Sequence, residues 1–141
     1  MLFGHNRDEL RRFYIESWRK YRSKLPLQTL EAMIAEVVAE HPEYHPLLEN
    51  EDEAITREFS AESGQGNPFM HMAMHLGIRE QLSTNRPAGI VSTYENLCKR
   101  LGGQHEAEHR MMECLGQAMW EAQQSGTPPD EAKYLECLQR L

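Results

Sequence analysis

A chain of 141 residues with a net charge of −7 has the size of one domain, and such a domain buries roughly 68–70 % of its unfolded surface, so it can fold without staples. The acidic balance speaks against a nucleic-acid backbone as main partner, because phosphate binding needs a basic patch. No stretch approaches the ~20 apolar residues of a membrane span, so no membrane partner is expected either.

The one basic concentration is Arg11, Arg12, Arg19, Lys20, Arg22 and Lys24. Its interleaving with apolar residues at helical spacing reads as the solvated face of a helix, with a local anionic contact as the alternative. There are three cysteines, Cys98, Cys114 and Cys137. An odd number without C-x-x-C makes a disulfide framework or thiolate zinc site unexpected and favours a reducing, cytoplasmic setting. The first eight residues lack the apolar core of a signal peptide.

Residues 6–23 read as a first helix through Leu10, Phe13, Tyr14, Ser17, Trp18 and Tyr21, capped by Asn6 or Asp8. Pro26 separates it from a second, about 27–41, whose stripe is Leu27, Leu30, Ile34, Val37, Val38 and His41. Pro42 disfavours helical geometry at His41, so the helix is expected to end there. Residues 41–46 read as a turn. Residues 47–61 read as an acidic helix with Leu48, Ile55 and Phe59 on one side, and Ser63-Gly64-Gln65-Gly66 as a loop. Asn67-Pro68 is a strong helix start, with Asn as cap and Pro in the first helical position.

The helix from 68 to about 84 is apolar almost all round, which predicts burial on most sides. Further helices are expected at about 88–101, 104–124 and 130–141. No segment shows the period-2 alternation of a strand. The expected fold is all-α, one bundle of six or seven helices forming a single domain over residues 1–141.

Six of the seven histidines form three H-x-x-x-H pairs: His41/His45, His71/His75 and His105/His109. Residues four apart share a helix face, so such a pair can close on one metal ion. The pair on the apolar helix would otherwise need two separate hydrogen-bonding solutions, because a buried polar group without a partner costs roughly 1–3 kcal/mol. His71 and His105/His109 all lie in the first two turns of their helices, and alternate helices of an up-down bundle run parallel. The expected ligands of a transition metal, zinc or iron first, are therefore His71, His75, His105 and His109, with Glu113 as a possible fifth. The same topology places His41 and His45 away from the other four.

The run His105-Glu106-Ala107-Glu108-His109 also matches H-E-x-x-H, in which the glutamate serves as general base. If the protein is an enzyme, Glu106 is the expected catalytic residue of a metal-dependent hydrolase. A third ligand for that reading, Glu131, opens a separate helix, and the strand edge on which metallopeptidases hold substrate is missing. The di-metal carboxylate pattern of bundles is incomplete, because only Glu106-x-x-His109 supplies Glu-x-x-His. Hemerythrin-like bundles fit in residue type but not in spacing. The remaining alternative is a non-catalytic interaction module, suggested by the acidic surface and eight methionines. A protein partner is possible on that reading. Most of the methionines, among them Met70, Met72, Met74, Met111, Met112 and Met119, are expected in the core.

The run Asn67-Pro-Phe-Met-His71-Met-Ala-Met-His75-Leu-Gly-Ile-Arg-Glu80-Gln, with Arg86-Pro-Ala-Gly-Ile90, resembles domain-of-unknown-function family 1841. So does His105-Glu-Ala-Glu-His109-Arg-Met-Met-Glu113-Cys-Leu, through Trp120-Glu-Ala-Gln. The resemblance covers nearly the whole chain. It implies a bacterial cytosolic protein and supplies no activity.

Overall fold

The computed structural model describes residues 7–59 and 66–141. The fold is all-α. Among the described residues it contains eight α-helices and one 3-10 turn, and no strand. The expected residues 60 and 61 of the acidic helix, the loop at 63–65 and the cap Asn6 lie outside the described residues.

The chain divides into two compact units: the first ends at Ala73 and the second is Met74–Leu141. The first contains α1 (Arg7–Arg22), α2 (Thr29–Ala39), the turn Pro42–Tyr44, α3 (His45–Leu48), α4 (Glu51–Thr56) and the start of α5 (Pro68–Thr84). Helix α1 packs on α2 and α4. Its buried residues Tyr14, Ser17 and Trp18 follow the expected stripe. Helix α2 starts with a capping box, in which the Gln28 amide donates to Glu31 Oε1 at 2.9 Å. It ends two residues sooner than expected, at Ala39, and His41 has left helical geometry, with φ −126° and ψ 69°, in keeping with the bias of a following proline against the α region.

The acidic segment differs most from expectation. One helix over 47–61 is replaced by two short ones, 45–48 and 51–56. Asn50 breaks them apart: its side chain accepts from Glu53 N–H and caps α4. The chain then leaves helical geometry at Arg57 (ψ 134°). The last α4 carbonyls are closed by Arg11, a buried residue of α1. Its guanidinium donates to the carbonyls of Ala54 (3.0 Å), Ile55 (3.2 Å) and Arg57 (2.8 Å) and lies 4.9 Å from the Phe69 ring centroid. Part of the basic concentration is thus structural, and not a solvated face.

The second unit holds the rest of α5, α6 (Ile90–Leu101), α7 (Gln104–Ser125) and α8 (Glu131–Gln139). Its core gathers Ile78, Ile90, Leu97, Met111, Met112, Tyr134 and Leu138. Helices α5 and α7 meet face to face at two glycines. A Cβ at Gly116 would touch Met74 Cε at 3.5 Å, and one at Gly77 would touch Leu115 Cδ2 at 3.8 Å.

Asn67 caps α5 as expected, its side chain accepting from Phe69 N–H (2.9 Å) and Met70 N–H (3.3 Å). Through Leu82 only Met70 and Glu80 are exposed, and every other residue of the helix is buried or half-buried. Burial follows one stripe, Phe69, Met72, His75 and Ile78, while Met70 is 49 % exposed. Met72, Met111 and Met112 are core residues, but Met119 is exposed beside Trp120. The core expectation for the methionines therefore fails at Met70 and Met119, which point outward from their helices.

The cysteines overturn another expectation. Cys114 of α7 and Cys137 of α8 form a disulfide across a sequence separation of 23, and Cys98 remains a thiol. Their pairing follows from the packing of α7 on α8, which no local motif reveals. Two outcomes test the fold. Arg11→Met should lower unfolding free energy by about 3 kcal/mol in urea titration, because three carbonyls lose a charged donor. Alkylation of the non-reduced, denatured protein should label Cys98 alone, and Cys137→Ser should cost about 3 kcal/mol by loop entropy.

Candidate metal centre

Each histidine in the centre is set by a different backbone device. Because Pro42 pulls His41 out of α2, its ring turns back along the helix end. His41 is buried, and its Nδ1–H donates to the Val37 carbonyl at 2.8 Å. The ring stacks on Tyr44, with centroids 5.3 Å apart and planes 2° apart. It meets His71 of α5 edge-on at 5.1 Å. Burial pushes the Tyr44 hydroxyl above its ordinary pKa, with Glu43 adding to the effect.

One turn further along α5, His75 is 2 % exposed. Its Nδ1–H donates to Glu108 Oε1 at 2.5 Å, and Arg79 Nε donates to the same oxygen at 3.1 Å. Burial alone would raise the Glu108 carboxyl pKa. The hydrogen bond from His75 and the charge of Arg79 outweigh it, and the net shift is downward. Glu108 is therefore an ionised, accepting carboxylate. The His75 ring lies 4.8 Å from that of His109, with planes at 78°. His109, half-buried on α7, donates Nδ1–H to the His105 carbonyl at 2.9 Å.

Val37 and His105 offer carbonyl oxygens and Glu108 a carboxylate. All three only accept, so Nδ1 of His41, His75 and His109 must bear the proton. In the neutral rings the lone pair then belongs to Nε2. Ligand nitrogens of His41, His71, His75 and His109 all lie within 4.8 Å of one another. This is a cluster of four histidines that can hold a metal ion.

Of the five expected ligands, the structure brings together His71, His75 and His109. His105 is exposed in the first turn of α7, and its ring stands 4.3 Å from that of His109. Glu113 is exposed and pairs with Arg110 at 3.0 Å. Neither belongs to the four. Glu106 is exposed as well, and it is Glu108, two residues on, that faces the histidines.

His41 corrects the expected topology. It was placed away from the other pairs by counting 47–61 as one full helix. Two short helices stand in its place, and the end of α2 meets the start of α5, with the His41 and His71 ring centroids 5.1 Å apart. His45, by contrast, donates Nε2–H to the Val38 carbonyl at 2.8 Å, and its ring packs on Trp18 at 4.4 Å. The His41/His45 pair is split because Pro42 and Pro46 break the helical register.

An all-α protein with four clustered histidines is the class that fold and site define. The family model for DUF1841, a domain of unknown function, matches residues 6–140, and the chain belongs to that family. No curated protein and no solved structure matches it. Among the described residues no helix is long and apolar enough to cross a membrane.

The Glu108 contact yields a direct test. Glu108→Ala removes the carboxylate that accepts from the buried His75 Nδ1–H and from Arg79 Nε. Unfolding free energy of the metal-free protein should fall by about 1–3 kcal/mol in denaturant titration. Glu106→Ala, on the exposed side of the same helix turn, should change it by less than about 0.5 kcal/mol.

Proposed function

We propose that this protein binds one first-row transition-metal ion through His41, His71, His75 and His109. The observation that supports the reading is the convergence of four imidazoles from the end of α2, two turns of α5 and the start of α7. Three of them are held by Nδ1 donation in the orientation metal-binding histidines adopt. The Arg79–Glu108–His75 chain matches the carboxylate–histidine arrangement that fixes ring orientation and raises ligand basicity.

All-imidazole sites suit zinc, iron, nickel or copper. Zinc with four protein ligands makes a closed, structural site. Iron, which accepts more ligands, would keep a position for a small molecule. Glu106, the base of the hydrolase reading, is exposed, and Glu108 is the carboxylate that contacts His75. The function supported best is thus metal holding.

Metal-free protein titrated with Zn²⁺ or Co²⁺ should take up one equivalent per chain. Cobalt should add visible d–d absorption. His75→Ala or His109→Ala should weaken binding by about 100-fold or more, beyond the 10–100-fold typical of losing a supporting hydrogen bond. Glu108→Gln should fall within that smaller range, and His45→Ala should leave affinity unchanged. Absence of uptake by the folded wild type would reject the reading.

A further inference from the structure

Three imidazoles of the second unit form a series from solvent to the interior. His105 is exposed, His109 is half-buried and His75 is 2 % exposed. Successive ring centroids are 4.3 Å and 4.8 Å apart. The innermost pair belongs to the four-histidine cluster, whereas His105 stands outside it. His109 is common to both pairs.

We propose that His105 and His109 form a surface loading site for the metal, from which the ion passes inward while His109 keeps hold. The proposal rests on the reading that the four-histidine cluster binds an ion. Residues four apart on one helix face suit a two-imidazole site, and this one starts where water can leave the hydrated ion. His109 Nδ1–H is donated to the His105 carbonyl, so the Nε2 lone pair is the nitrogen that contacts the ion in both places. Passage is a ligand exchange. The bond from His105 to the ion breaks as the bond from His75 forms, and no proton or electron moves when both rings are neutral. Remaining waters leave as His41 and His71 close on the ion.

A group that holds the ion only in transit changes rates without changing the equilibrium. Entry and release pass through the same intermediate, so losing it slows both by one factor. A different way in exists on the geometry. A cavity of about 480 Å³ lined by Tyr44, Arg57, Phe59 and Asn67 reaches His71, and an ion entering there would not meet His105.

The two routes separate in stopped-flow mixing of the full-length, metal-free protein with Co²⁺ or Zn²⁺. Release is read separately by transfer to excess chelator. His105→Ala and His105→Gln should each slow uptake and release by about tenfold, with the dissociation constant and circular dichroism unchanged. Weaker affinity with an unchanged uptake rate would make His105 a permanent ligand and overturn the proposal. Unchanged rates and affinity would overturn it too, in favour of the His71 cavity. Wild-type protein that binds no ion would defeat the metal reading itself, an outcome distinct from either result with the variants.

Discussion

The site depends on one constraint: three of its histidines must give away the Nδ1 proton to groups that can only accept. A carbonyl of α2, a carbonyl of α7 and an ionised carboxylate impose the same tautomer on His41, His109 and His75. A buried imidazole costs stability unless hydrogen-bonded, and each of these rings meets that demand through one nitrogen. The other nitrogen is then a lone pair brought near its neighbours. Nitrogens around a tetrahedral zinc at 2.0–2.1 Å would stand about 3.4 Å apart; the four candidate ligand atoms here lie within 4.8 Å of one another.

Helix α5 gives that constraint its geometry. His71 and His75 are one turn apart on it, the former against His41 and the latter against His109. Gly77 and Gly116 lie where α5 and α7 pack, beside Leu115 and Met74 of the facing helix. Asn67 and Pro68 fix where α5 begins, and thus which of its residues face inward. The stripe that results, Phe69, Met72, His75 and Ile78, places one histidine in line with core apolar residues.

Helix positions were legible in the sequence because each long helix carries its own periodicity and its own stop signal. The start of α5 at Asn67-Pro68 and the end of α6 at Gly102 are local chemistry. The short helices before α5 were not legible. Four- and six-residue helices are too brief for a periodic signal, and the capping role of Asn50 is one side-chain contact. Reading 47–61 as one full helix is what set His41 apart from His71, against which its ring stands. His71, His75 and His109 were legible as i, i+4 partners, but spacing cannot tell which member of the third pair turns inward. The disulfide and the Arg11 clasp are long-range contacts and leave no mark on local pattern.

The stretch from His105 to His109 shows why a motif is weaker than the register beneath it. Glu106 and Glu108 differ by two positions, about 200° around a helix at 3.6 residues per turn, so only one of them can face the interior. H-E-x-x-H assigns chemistry to Glu106, yet the core-facing side of α7 is set by Ala107, Glu108, Met111 and Met112. Packing of those apolar residues therefore selects Glu108. Once buried, its carboxylate is tied to His75 and Arg79, and it fixes the orientation of that imidazole. The apolar face of α7 thus decides which carboxylate meets the histidines, and it leaves the motif's Glu106 in solvent.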